Sequence, residues 1–179
     1  VCSSDLAIVP PYEDPYIIAG QGTIGLEIAR QAEALGATLD AVLTACSGGG
    51  LASGIATALA ARSPRTAVYS VEPAGFDDLS RSLKSGKREH NAPDARSICD
   101  ALLAATPGEL TFSINSRLLA GGLVVTDAEV RAAMLAAFNE LKLVVEPGGA
   151  VGLAAPLAGK IPTAGQTIAV VCSGGNVDP

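Results

Sequence analysis

The chain has 179 residues, of which 49% are hydrophobic and 17% charged, so it encodes a folded, core-rich protein of one sizeable domain and not a disordered one. A formal charge of −6 argues against nucleic acid or an anionic membrane as the main partner, and every apolar run is interrupted by Gly, Pro or charge well short of a transmembrane span. Aromatic residues make up only 3% and Trp is absent, so the core has to be built from Ala, Val, Leu and Ile.

In chain order, Ala7-Ile8-Val9-Pro10-Pro11 reads as a short strand ended by prolines, and Tyr12 to Tyr16 as a turn-rich link. Gly20-Gln21-Gly22-Thr23 is expected to open a helix from Ile24 to Leu35, stopped by Gly36. Leu39–Ala45 reads as a buried strand, Leu51–Arg62 as an Ala-rich helix and Ala67–Glu72 as a further strand. Continuous apolar strands alternating with helices imply an α/β fold: an open, mostly parallel sheet with helices on both faces, in three layers.

The stretch Pro73–Thr111 is less regular. Asp77–Ser85 has helical character and Gly86–Asp94, which includes His90, reads as an exposed polar loop. Val124-Val125 ends a strand. Thr126 and Glu129 then form a capping box for a helix reaching about Leu141. Glu146-Pro147-Gly148-Gly149-Ala150 opens a helix to about Ala158, and Thr167–Cys172 is a final buried strand leading into the turn Ser173-Gly174-Gly175-Asn176.

The run Cys46-Ser47-Gly48-Gly49-Gly50-Leu51 sits between a strand and a helix. Glycines let an anion approach the backbone, and the helix start adds free N–H donors and the positive end of the dipole. The run therefore points to a phosphate, although a tight strand-to-helix turn would look the same. It is neither G-x-G-x-x-G nor a P-loop. The cysteines Cys2, Cys46, Cys99 and Cys172 have no C-x-x-C spacing, and with a single histidine this argues against a zinc site. Cys46 and Cys172, at strand ends, read as small buried hydrophobes, which fits a reducing, cytoplasmic compartment. No signal peptide is visible.

Five segments in order resemble one family: Ile18-Ala19-Gly20-Gln21-Gly22-Thr23, the glycine loop, Val71-Glu72-Pro73, Glu146-Pro147-Gly148-Gly149-Ala150, and Cys172-Ser173-Gly174-Gly175-Asn176-Val177-Asp178. Together they resemble the pyridoxal-phosphate enzymes of the tryptophan-synthase-β type (fold type II), nearest the threonine/serine dehydratase and serine racemase branch. The resemblance implies that residues 7–179 are a fragment of the large domain of such an enzyme, cut short at both ends and with the small domain missing, and that residues 1–6 are a junction foreign to it.

By the same resemblance Ser47, Gly48, Gly49, Gly50 and Leu51 would bind the cofactor phosphate through main-chain N–H groups. Ser47 stands where relatives have glycine and could add a hydroxyl donor. Ser173 would meet the pyridine nitrogen; a neutral hydroxyl there leaves the nitrogen largely unprotonated. Glu146 matches a position near the cofactor, or serves only its helix start. Glu72, Asp78 and the carbonyl of Phe76 match a site for Mg²⁺ or Ca²⁺, or form a solvated acidic turn. Asp100 lies in Ile98-Cys99-Asp100-Ala101-Leu102, where relatives more often carry Ala-Asp-Gly.

The family's Schiff-base lysine lies in a Ser-x-Lys-x-Arg-Gly-like segment, and Lys84, Lys87, Lys142 and Lys160 all lack that context. The expectation is therefore a carboxyl-side part of a dehydratase that acts on a small hydroxy amino acid and yields a 2-oxo acid and ammonia, inactive by itself. The intact enzyme would be a homodimer. The alternatives are a racemase or β-replacement enzyme of the same fold, or a non-catalytic phosphate- or nucleotide-binding domain.

Overall fold

The computed structural model describes residues 8–178. The elements, in order, are α1 (Pro15–Ala34), β1 (Ala41–Ala45), α2 (Gly50–Arg62), β2 (Ala67–Pro73), α3 (Asp78–Ser85), α4 (Glu109–Leu118), β3 (Gly121–Val125), α5 (Asp127–Ala136), α6 (Pro147–Leu157) and β4 (Ile168–Val170). A 3₁₀ turn spans Asp100–Leu102, and α5 runs on into a π-helical turn at Ala137–Leu141.

Among the described residues the four strands form one sheet in the order β3-β2-β1-β4, and all pairings are parallel. Because successive side chains of a strand point to opposite faces, β1 feeds two cores at once. Val42 joins Val68, Ile55, Ala56 and Leu59 beneath α1 and α2. Ala41, Leu43 and Ala45 join Val71, Val130, Ala133, Val151 and Ala154 beneath α5 and α6. The sheet is thus covered on both faces and matches the expected three layers.

Three expectations need correction. Residues 8–11 have no regular structure, and Ala7, with the junction at 1–6, lies outside the described residues. The helix expected from Ile24 begins at Pro15 instead. Asp14 caps it, its Oδ1 accepting from the N–H of Tyr16 at 2.8 Å and of Ile17 at 3.2 Å, and Pro15 takes the first-turn position where no N–H is needed. Gly20 and Gly22 therefore lie inside the helix. The physical reason is packing: a Cβ on Gly25 would come within 2.8 Å of the Ala58 Cβ, and one on Gly54 within 2.6 Å of the Gly22 N, so small residues let α1 and α2 meet backbone to backbone. Thirdly, the last strand is short and half-buried, because β4 lies at the sheet edge with β1 as its one partner.

Helix α4 and all of β3 before Val124 were not expected. The remaining elements match closely, including the capping box: the Thr126 hydroxyl accepts from the Glu129 N–H and the Glu129 carboxylate accepts from the Thr126 N–H.

Two substitutions separate packing glycines from idle ones. Gly20 is exposed with nothing within 4 Å of an added Cβ, so Gly20→Ala should raise stability by about 0.5–1 kcal/mol through helix propensity. Gly54→Ala should lower it by about 1–3 kcal/mol through overpacking. Urea denaturation of both variants checks this, and equal effects would refute the packing argument.

Candidate functional site

The carboxyl ends of β1 and β4 open into a cavity of about 560 Å³. Its walls include the whole glycine loop Ser47–Leu51, Ser173, and the segment Asp100–Ala104 opposite. In an open parallel sheet this is the end where ligands sit. The topology therefore brings the first glycine turn and Ser173 of the second into one cavity, although they are more than 120 residues apart in sequence.

The loop's hydrogen bonding is one-sided. The Gly48 carbonyl accepts from the Gly108 N–H at 3.1 Å and from the Thr111 hydroxyl at 2.6 Å. The Gly49 carbonyl accepts from the Ser53 N–H at 2.9 Å and from Asn115 Nδ2 at 3.2 Å. Among the described residues, the N–H groups of Ser47, Gly48, Gly49, Gly50 and Leu51 find no acceptor. Buried backbone donors are rarely left so. Gly49 holds φ at +102°, a conformation that only glycine takes without strain, and this turn of the chain sets the loop's carbonyls apart from its N–H groups. The dipole of the 13-residue α2 adds positive potential at the same place. Donors left free at a helix start are groups that can receive an anion.

Ser47 Oγ accepts from the Ala104 N–H at 3.1 Å, which ties the loop to the opposite wall and leaves the O–H free to donate. Tyr12 packs over the loop, so close that a side chain on Gly48 would strike its ring and a Cβ on Gly50 would lie 2.8 Å from its Cβ. Asp100 lines the cavity and Ser173 is exposed to it.

Glu146 stands apart from the cavity walls. Its Oε2 accepts from the Asn176 N–H at 3.0 Å and its own N–H donates to the Gly174 carbonyl at 3.0 Å, so it fixes the turn that carries Ser173. The lysines are exposed and none lines the cavity; Lys160 pairs with Glu129 at 2.8 Å.

The acidic pair is buried. Glu72, at the end of β2, turns its carboxylate onto the first turn of α3: Oε1 accepts from the Leu79 N–H at 2.9 Å, and Oε2 from the Ser80 N–H at 2.7 Å and hydroxyl at 2.6 Å. Glu72 thus serves as the cap that Asp77 does not provide. Asp78 is 1% exposed; its Oδ1 accepts from Asn91 Nδ2 at 2.5 Å, whereas its Oδ2 is buried without a partner. Burial, opposed by the Ser80 hydrogen bond and reinforced by the neighbouring Asp78, pushes Glu72 up to about 8, and burial also raises Asp78. Phe76 is buried and no donor among the described residues reaches its carbonyl. His90 is exposed, as expected. Cys46 and Cys99 are buried and Cys172 is half-buried, all as free thiols, and burial raises each of them.

Sequence reading missed Thr111 and Asn115, which hold the loop carbonyls. Their helix was unassigned, and the one available signal was the spacing of two polar residues one turn apart on an otherwise apolar face.

With this geometry in view, the comparisons with known proteins are specific. The family described as "Pyridoxal-phosphate dependent enzyme" matches residues 3–174. The chain belongs to that family. It is 37% identical over 174 residues to a serine racemase of Dictyostelium discoideum, covering 96% of this chain and 52% of that protein. It is 35% identical over 170 residues to an L-threonine ammonia-lyase of Thermotoga maritima, covering 95% and 41% respectively. Among solved structures, a threonine deaminase from T.th. superposes with a TM-score of 0.89 at 42% identity, over 94% of this chain and 56% of that one. The chain spans about half the length of the relatives it matches. Its α/β fold is that of the fold type II pyridoxal-phosphate enzymes. No helix among the described residues is long and apolar enough to cross a membrane.

Glu72 gives the pyridoxal-phosphate family member a definite pH signature. Its carboxyl is raised from an ordinary 4.5 to about 8, so the folded state holds the proton more tightly than the unfolded chain. The resulting stability is fully present below pH 4.5 and is lost as pH rises through about 8. In chelator, the unfolding free energy from urea denaturation should fall across that interval more steeply than in Glu72→Gln, by at most about 1.4 kcal/mol per pH unit. Parallel curves for the two proteins would show that Glu72 titrates normally.

Proposed function

We propose that this chain supplies the phosphate-binding large domain of a pyridoxal-phosphate-dependent ammonia-lyase acting on L-threonine or L-serine. The observation that carries the reading is the set of five N–H groups before and at the start of α2 that find no acceptor among the described residues, on residues lining the cavity that Ser173 also lines. The phosphate would be held by the N–H groups of Ser47, Gly48, Gly49, Gly50 and Leu51, with the Ser47 hydroxyl as a further donor. Ser173 would hold the pyridine nitrogen through a neutral hydroxyl. Glu146 would contribute by fixing the Ser173 turn.

When bound, pyridoxal phosphate withdraws electrons from the substrate α-carbon. A neutral partner at the ring nitrogen moderates that withdrawal, which suits loss of a β-hydroxyl over transamination. The substrate would lose its α-proton and its β-hydroxyl as water, and the enamine left behind would hydrolyse to a 2-oxo acid and ammonia. The lysine that would anchor the cofactor and move the α-proton is, on this reading, none of Lys84, Lys87, Lys142 and Lys160, which do not line the cavity. On this reading the 179-residue chain binds the cofactor and does not turn over. The intact enzyme would be a homodimer of the reducing cytoplasm.

A racemase is the second reading, supported by the 37% identity to a serine racemase. Sequencing the source DNA upstream of Val1 for an in-frame Ser-x-Lys-x-Arg-Gly-like segment, and analysing the products of the enzyme it encodes, separates the two. A 2-oxo acid from L-threonine supports the lyase and D-serine from L-serine supports the racemase.

The isolated chain is itself testable. It should bind pyridoxal phosphate at least about tenfold more tightly than pyridoxal, and form no 2-oxo acid from L-threonine. Equal affinity for the two would overturn the phosphate site; turnover would overturn the assignment of the lysine elsewhere.

The acidic pair supports a hard cation. All its available donors are oxygens, and Asp78 Oδ2 is a buried acceptor lacking a partner. Glu72, Asp78 and the Phe76 carbonyl would hold Mg²⁺ or Ca²⁺, with Glu72 giving up part of its hold on α3. Excess Mg²⁺ or Ca²⁺ should raise the Tm of the chain at pH 8, and Asp78→Asn should abolish the rise. An unchanged Tm with either ion would leave Glu72 as a helix cap only.

A further inference from the structure

Helix α4 has a role at the site that its distance from the cavity conceals. Thr111 and Asn115 sit one helical turn apart and are 0% exposed. Thr111 Oγ1 donates to the Gly48 carbonyl at 2.6 Å and Asn115 Nδ2 to the Gly49 carbonyl at 3.2 Å. Neither residue lines the cavity. Both press against the loop from behind: a Cβ on Gly49 would lie 2.8 Å from Asn115 Nδ2 and 2.9 Å from Thr111 Oγ1.

These two bonds are redundant for satisfying the backbone. The Gly48 carbonyl already has the Gly108 N–H and the Gly49 carbonyl already has the Ser53 N–H. They also come at a cost to stability, since Asn115 Oδ1 is buried with no partner, and such a group destabilises a fold by about 1–3 kcal/mol. What the pair does achieve is directional. By drawing two successive carbonyls towards α4, it turns the adjoining N–H groups towards the cavity. The Ser53 hydroxyl returns the grip by donating to the Thr111 carbonyl at 3.3 Å. At the start of α4 the Leu110 N–H donates to the Glu13 carboxylate, next to the Tyr12 that covers the loop. One short helix thus fixes the loop from below and the segment above it.

We infer that Thr111 and Asn115 are positioning residues for phosphate: they preorganise the N–H groups of the Ser47–Leu51 loop by holding its carbonyls from the far side. This rests on the cofactor reading given above. Preorganised donors bind an anion more tightly because their ordering is completed before the ligand arrives.

The test uses the purified 179-residue chain, with pyridoxal phosphate and pyridoxal as probes. Thr111→Val removes the hydroxyl at nearly constant shape, Thr111→Ser restores it, and Asn115→Leu removes the amide together with its orphaned oxygen. Thr111→Val and Asn115→Leu should each weaken pyridoxal phosphate about tenfold and leave pyridoxal within about twofold. Thr111→Ser should recover the wild-type preference. Asn115→Leu should keep or raise the Tm while losing affinity, a split that a merely structural residue would not produce. Wild-type affinity in both variants, or equal losses for the two probes, would overturn the inference. If the wild-type chain itself shows no preference for the phosphorylated probe, the cofactor reading fails. Backbone amide resonances of Gly48–Leu51 then judge positioning alone: they should move in Thr111→Val and return in Thr111→Ser, and unmoved resonances would refute it.

Discussion

The structure depends on an asymmetry in one loop: the Gly48 and Gly49 carbonyls each accept two hydrogen bonds from the protein, whereas the N–H groups of Ser47–Leu51 find no acceptor among the described residues. A backbone normally engages donors and acceptors together, because a helix or sheet ladder pairs them one for one. Separating them requires a residue in the left-handed region, supplied by Gly49, and acceptor-seeking groups behind the loop, supplied by Gly108, Thr111, Asn115 and Ser53. Everything else about the domain brings these groups to one place. The parallel order puts the ends of β1 and β4 side by side, and α4 lies where it reaches the loop from outside the sheet.

The same constraint explains the composition. With almost no large aromatics, the domain gains its contacts by letting backbones approach closely. Gly22, Gly25 and Gly54 set α1 directly on α2, the helix whose amino end meets the cavity. The close fit limits how far α2 can shift, so its free N–H groups stay at the cavity mouth. Packing far from the site is in this sense part of the site.

The alternating pattern of apolar strands and helices was legible in the sequence because each element obeys a local rule. Val42 and Leu43 are continuous apolar residues with neighbours on both faces, and Thr126 and Glu129 complete a box within one turn. The glycine loop was legible as well, since strand, glycine run and helix are contiguous. The start of α1 carries local signals, Asp14 as cap and Pro15 in the first turn, but local rules could not give the packing of Gly22 against α2 that places a glycine of low helix propensity inside the helix. Nor could they give α4, whose sequence Glu-Leu-Thr-Phe-Ser-Ile-Asn-Ser-Arg-Leu is an undistinguished helix former. Its significance lies in contacts spanning more than 60 residues of chain, between Thr111 and Gly48 and between Asn115 and Gly49. Ser173 was singled out by resemblance, but its sharing a cavity with the loop follows only from the pairing of β1 with β4.

The electrostatics of the cavity follow from the same loop. No Lys or Arg lines it, and the chain as a whole carries −6. Any anion held there must be held by neutral dipoles: amide N–H groups, a serine hydroxyl and the amino end of α2. Neutral donors lack the long-range pull of an ammonium group, so their effect rests on position, which has to be set before the ligand comes. A lysine at the end of a flexible stem could follow a phosphate about the cavity; a backbone N–H cannot. This is the physical reason why a site built from glycines needs a rigid helix behind it. It also gives a reason for a buried amide at Asn115, whose Oδ1 finds no partner among the described residues.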